Sequence, residues 1–176
     1  MKLLGIVVRS DLKWCSNTEN MVIKASNRVW MIRRLKTLGA SMPELIDVYI
    51  KQIRSVLELA VPVWHSSITQ QERYDIERVQ KSVLHLILGD RYQTYEYAIT
   101  LVNLETLEVR RANLCLKFAK KAEKDDKHSN WFKPKKTVRV TRQKPEKYCH
   151  VFTRTVRFEK SPISYLTDIL NKYHKK

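Results

Sequence analysis

Asp125 and Asp126 are adjacent carboxylates of the kind that two-metal phosphoryl transfer uses. That chemistry needs carboxylates converging on one rigidly mounted site. The flanking run "EKDDKHS" is charged, and no apolar strand leads into it. The pair is therefore expected to be a solvated helix end. A structural zinc site would draw on Cys149 and His150, which are adjacent, with Cys115 and His128 upstream, but no CxxC pair exists. The five histidines have no Ser or Cys partner in a recognisable nucleophilic arrangement, and His65 is expected at a helix-bundle surface. No GxxxxGK[ST], GxGxxG, HExxH or GxSxG occurs. These residues predict no catalytic group, no metal and no cofactor.

Phosphate recognition is better provided for. Arg28, Arg33, Arg34 and Lys36 crowd one end of a predicted helix that also carries Lys24. Further along come Lys133, Lys135, Lys136, Arg139 and Arg142, and the tail as a whole interleaves cations with Trp131, Phe132, Tyr148, Phe152 and Phe158, which suits backbone contact plus base stacking. The whole chain of 176 residues carries 34 Lys and Arg against 18 Asp and Glu, a net charge of +16. Such an excess seeks phosphate on nucleic acid or on anionic lipid. Lipid fits less well, because no helix combines a strong basic face with exposed large apolar residues. The plain competing reading is that long basic side chains only keep a bundle soluble.

The elements that would position these cations are mostly helical. "KLLGIVV" at the start reads as a short strand whose neighbours must come from elsewhere. From about Asn17, Val22, Ala25, Val29, Ile32 and Leu35 recur at helical spacing, and Gly39 is placed to end the helix. Ser41 with Glu44, and Thr69 with Glu72, have capping-box spacing. The first opens a helix whose wide apolar face comprises Leu45, Ile46, Tyr49, Ile53, Val56, Leu57 and Ala60, with Lys51 and Arg54 on its narrow polar side and Pro62 bending or ending it. The second opens a helix through Ile76, Val79, Val83, Leu86 and Ile87, closed by Gly89. A short helix fits "TYEYAITLV", and a longer one runs from about Glu105 to Lys124 with Leu107, Leu114 and Phe118 on one face, flanked by Arg111 and Lys121. From Asp125 onward the chain holds 14 Lys and Arg against 5 Asp and Glu, net +9. It is read as a loop or disordered arm followed by a helix with Ser161 as cap, Pro162 at its first position, and Leu166, Ile169 and Leu170 as apolar contacts.

The expected fold is thus mainly α: an antiparallel helical bundle with one short N-terminal strand and a basic, partly irregular C-terminal tail. The expected boundaries are 1–16 for the strand and turn, 17–124 for the bundle and 125–176 for the basic extension. No apolar run is long enough to span a membrane, and the opening "MKLLGIVVRSD" lacks the pattern of a signal peptide. Three cysteines far apart argue for a reducing compartment, so the protein is expected to be intracellular, nuclear or cytoplasmic, and not secreted.

"KLLGIVVRSDLKW" followed by "KASNRVWMIRRLKTLG" resembles the region just after the palm of non-LTR retrotransposon reverse transcriptases, especially jockey-like elements. "VYIKQIRSVLELAVPVWHSSIT", "DIERVQKSVLHLILG" and "LETLEVRRANLCLKFAKKA" are similar to the later helices of such proteins, and "KHSNWFKP" and "RTVRFEKSPISYLTDIL" to their C-terminal ends, so the resemblance covers nearly the whole chain. It implies a thumb and C-terminal extension that grip template–primer nucleic acid without sequence preference. The family's catalytic "[YF]-x-D-D" box lies upstream of the matching stretch, so the resemblance implies a non-catalytic fragment that could associate with a separate palm-containing polypeptide. Asn17 stands where the family often has His, and Leu59 where an aromatic is common. The alternative function is an unrelated basic helical module that binds an acidic protein.

Overall fold

The computed structural model describes residues 1–135 and 146–175. Strands β1 (Lys2–Leu3) and β2 (Ile6–Val7) are followed by helices α1 (Cys15–Thr37), α2 (Met42–Val48), a π-helical segment (Tyr49–Arg54), α3 (Ser55–Leu57) and α4 (Val61–Trp64). Then come α5 (Gln70–Leu88), α6 (Tyr95–Leu101), α7 (Leu107–Lys124), α8 (Val156–Glu159) and α9 (Pro162–Lys175), with short 3-10 turns at His65–Ser67, Gly89–Arg91 and Ser129–Trp131. The protein is a mainly α-helical bundle with a small N-terminal sheet. It divides into two compact units: Met1–Ala60 with Ile68–Arg110, and Val61–Ser67 with Arg111–Lys176. The division falls inside α7, so it coincides with neither residue 16 nor residue 124. The helix runs on past Arg110 without a break, and nothing in its local sequence marks the change of unit.

In the first unit the opening run folds back on itself. Lys2 pairs with Val7 and Leu3 with Ile6, so the expected single strand with outside neighbours is instead a hairpin. Leu4 (φ 47°) and Gly5 (φ 89°) both adopt left-handed backbone, as a two-residue type I′ turn requires. The Val7 amide donates to the buried Asn17 side chain (3.0 Å), which ties the hairpin to α1.

Helix α1 buries Met21, Ala25 and Ile32 and half-buries Val22, Val29 and Leu35, the stripe that the spacing predicts. It stops in a Schellman motif: Gly39 (φ 86°) donates to Lys36 O and Ala40 to Leu35 O, both at 3.1 Å. The next helix begins where Glu44 accepts from the Ser41 amide (2.8 Å), and α5 begins where Glu72 accepts from Thr69 (2.6 Å) and returns its own amide to the Thr69 hydroxyl (3.2 Å). Both capping boxes are therefore formed.

Leu45, Tyr49, Ile53 and Leu57 are all buried, at a strict spacing of four. Four residues overshoot one α-helical turn by about 40°, so three such steps would swing Leu57 well off the line of Leu45. The π-helical segment Tyr49–Arg54 takes up that excess, because its wider turn holds more residues. The helix ends at Leu57, before Ala60, which has φ 50° and lies outside it. Pro62 then sits in the first turn of α4, where no amide is missed. Arg54 is not on an exposed polar side as expected: its side chain is only 15% exposed and pairs with Glu58 (3.2 Å), which also takes Arg110 (3.0 Å). Lys51 is exposed, and pairs with Asp47 (2.7 Å).

The second unit gathers α4, the rest of α7, α8 and α9. Along α7 Leu107 is buried as expected, but past Arg110 the buried residues are Arg111, Cys115, Ala119 and Ala122, whereas Leu114 is half-buried and the exposed Phe118 meets Trp131 at the surface. The expected face through Leu114 and Phe118 is thus displaced. Small side chains let neighbouring chain come close, and bulk alone was a poor guide. His65 is also corrected: it is buried, with its ring edge-on to Tyr165 at 5.5 Å. Buried Val61 and Trp64 precede it, and the Ser66 and Ser67 hydroxyls donate to Lys160 O (2.7 and 2.6 Å), drawing His65 inward. Helix α9 extends to Lys175 and buries Leu166, Thr167, Leu170 and Asn171. The Asn171 amide accepts from Tyr148 N (2.9 Å) and donates to Tyr148 O (3.0 Å), so it holds the Tyr148 backbone both ways.

Candidate nucleic-acid interface

The site is built on α1, whose core stripe leaves the opposite side to solvent. From Asn20 to Thr37 the helix carries no carboxylate, while Lys24, Arg28, Arg33, Arg34 and Lys36 supply five cations. The side chains of Lys24, Arg33 and Arg34 are exposed and make no hydrogen bond or ion pair with the described residues. Arg28 and Lys36 are engaged. Arg28 donates to Gln52 O (2.6 Å), and Lys36 donates from Nζ to Leu86 O (2.7 Å) and Ile87 O (3.3 Å). Those carbonyls end α5, so Lys36 caps a helix C-terminus with its charge.

The tail residues divide similarly. Lys133 is exposed, and its backbone carbonyl takes the Cys149 amide (2.8 Å). Lys135 pairs with Glu146 (3.4 Å) and donates its amide to Lys147 O (3.0 Å). Lys136, Arg139 and Arg142 lie outside the described residues. The arm read as a loop is therefore packed at both of its described flanks, where Phe132 and Tyr148 are buried against each other. Two tail cations are paired with carboxylates, Lys175 with Glu146 (2.8 Å) and Lys147 with Glu123 (2.6 Å), and Lys120 of α7 covers the Tyr173 ring (3.4 Å). Hydrogen bonding from Lys175 helps pull the Glu146 carboxyl down to about 2. Burial works against the Glu123 anion, but hydrogen bonds from Lys147, Tyr148 and His174 outweigh it and keep its pKa below the ordinary carboxylate value.

The groups considered for chemistry do not converge. Asp125 accepts the Lys127 amide (3.0 Å) and faces His128 (2.8 Å), so it shapes the turn that ends α7. Its pKa is lowered chiefly by that backbone hydrogen bond. Cys115 is buried, Cys149 contacts Pro134 O (3.7 Å), and His150 lies between Asp168 (2.8 Å) and Glu146 (2.9 Å). Among the described residues, no group of three or more His, Cys, Asp or Glu is arranged to hold a metal ion. No described helix is long and apolar enough to cross a membrane.

Sequence reasoning missed two features of this region. One is the capping role of Lys36, which depends on where α5 ends. The other is Trp30, which is 63% exposed on the solvent side of α1. Its position off the Met21–Ala25–Ile32 stripe was the available signal. Comparison with protein-family models, curated proteins and solved structures finds no match to this chain.

Proposed function

We propose that this chain binds nucleic acid through phosphate contacts made by α1, as a thumb-like element of the non-LTR reverse-transcriptase type, and does not itself polymerise. The observation that carries this reading is the surface of α1 from Asn20 to Thr37, where Lys24, Arg33 and Arg34 stand exposed and no carboxylate lies within that stretch of the helix. Point charges on a helix face meet backbone phosphates without reading bases, so the binding is insensitive to sequence and steeply dependent on salt. A net charge of +16 adds long-range attraction to any polyanion. The partners are an RNA, DNA or hybrid duplex and a separate palm-bearing polypeptide that supplies the chemistry.

The test is binding to two unrelated duplexes across a salt series. Replacing Arg33 and Arg34 together by Ala is expected to weaken both complexes by a similar factor, and to flatten the log–log salt dependence by about 0.9 for each lost contact. Loss for one duplex only would mean base readout, and no loss would remove α1 from the interface. In a primer-extension assay with Mg²⁺ or Mn²⁺, incorporation should not exceed that of a heat-killed control. Binding to an acidic protein in place of duplex would favour the interaction-module alternative.

A further inference from the structure

Trp30 is the largest side chain exposed on α1, and the phosphate reading leaves it without a role. Single exposed apolar residues are ordinary on protein surfaces, so its neighbours decide the matter. Arg33 and Arg34 follow at three and four residues and so flank the indole one turn on. Ile23, 56% exposed, lies two turns before it on the same side, and Asn27 stands exposed between them. Among the described residues no aromatic ring or cation covers the indole, and no carboxylate shares this length of helix. The result is an open aromatic plane bordered by unpartnered guanidinium groups.

We propose that Trp30 stacks on an unpaired nucleobase while Arg33 and Arg34 hold the adjoining phosphates. The inference rests on the proposed nucleic-acid binding and narrows it to a substrate class: single strands, or duplexes with an unpaired base at a junction or end. In a continuous duplex both faces of each internal base are already stacked, so an indole gains nothing there beyond the shared phosphate contacts. An aromatic plane next to cations that follow the backbone is the general solution for binding single strands without sequence preference. Charge complementarity admits any polyanion, and the open Trp30 plane beside the arginines selects one that also offers an unpaired base to stack. A lipid surface would demand a broader apolar face than Ile23 and Trp30 provide.

The full-length chain would be compared with Trp30→Ala, Trp30→Phe and the Arg33→Ala, Arg34→Ala double variant. Each would be titrated against labelled oligothymidylate and against a blunt duplex at several salt concentrations. Because the indole is exposed, circular dichroism should show Trp30→Ala folded. It is expected to bind the single strand roughly five- to a hundredfold more weakly, with little change on the duplex and an unchanged salt slope. Trp30→Phe should recover most of the loss. The arginine variant should weaken both complexes and flatten both slopes. An unchanged single-strand affinity for Trp30→Ala, or an equal loss on the duplex, overturns stacking while leaving the phosphate reading intact. If wild type binds neither probe, both readings fall. If Trp30→Ala instead abolishes association with phosphatidylserine vesicles and leaves the oligonucleotide complex untouched, the face belongs to a membrane and the proposal is wrong.

Discussion

Lys36 and Arg34 are two residues apart on α1 and carry the same charge, yet they have different partners. The Lys36 ammonium donates to Leu86 O and Ile87 O at the end of α5, whereas Arg34 is open to solvent. Lys36→Met is therefore expected to lower stability by about 1 kcal/mol, through loss of a charged cap on a helix C-terminus. It should leave the salt dependence of nucleic-acid binding unchanged, which denaturant titration and binding of one sample would show together. Cys115 gives a second residue-level test. Burial raises its thiol to about 12 against the opposing pull of Arg111, so almost no thiolate exists near pH 8. A thiol reagent at that pH should react with the half-exposed Cys15 and Cys149 and spare Cys115 until the protein unfolds. Three fast equivalents in the native state would contradict the burial. Gln80 shows what spacing cannot reveal at this scale. It is fully buried on the apolar face of α5, accepting from the Tyr49 hydroxyl and donating to Tyr95 Oη and Glu105 O, both at 2.9 Å. Its helical position marks it as core, but its partners come from three other segments, so the network that makes a buried amide tolerable is visible only in the fold.

Element boundaries were legible wherever a local device sets them. The Ser41–Glu44 and Thr69–Glu72 boxes, the left-handed Gly39 and Pro162 at the head of α9 each act within a few residues, so the sequence carries the whole signal. The π-helical segment was not legible, because it arises from fitting Leu45, Tyr49, Ile53 and Leu57 onto one line rather than from a preference of any residue. That line makes a sharp prediction. Ile53 is fully buried, and Ile53→Ala is expected to cost about 2–5 kcal/mol through lost burial and a residual cavity. Lys51 is exposed on the same segment and pairs with Asp47 at the surface, so Lys51→Ala should cost no more than about 0.5 kcal/mol. Equal effects in urea titrations would mean that the face is wrongly assigned. The α7 face was misjudged for a related reason. Periodicity finds a stripe, but whether Phe118 or Ala119 fills it depends on how closely the neighbouring chain approaches, and Cys115, Ala119 and Ala122 leave room for a close approach.

At the scale of the whole molecule, composition supplied the charge, and apolar spacing with the capping boxes supplied the helical class and the order of helices. Neither composition nor spacing indicated that Val61–Ser67 belongs with the C-terminal third of the chain. That pairing depends on contacts nearly a hundred residues apart, such as those of Ser66 and Ser67 with Lys160 O and of His65 with Tyr165. It changes how the role of the basic tail can be tested. Removing everything after Lys124 deletes a net charge of +9, and on charge alone should only weaken binding. The same cut removes α9, whose buried Leu166 and Leu170 belong to the unit that contains Val61, Trp64 and His65. Fully buried Trp64 would lose its cover, exposing an apolar patch that invites aggregation. The expected outcome is a red-shifted tryptophan emission, increased binding of a hydrophobic dye and a lower melting temperature than the intact chain. Neutralising only Lys133 and Arg154, both exposed, should leave emission and melting as they are. If the truncated chain keeps native emission and melts like the intact protein, the 61–67 segment does not depend on the tail.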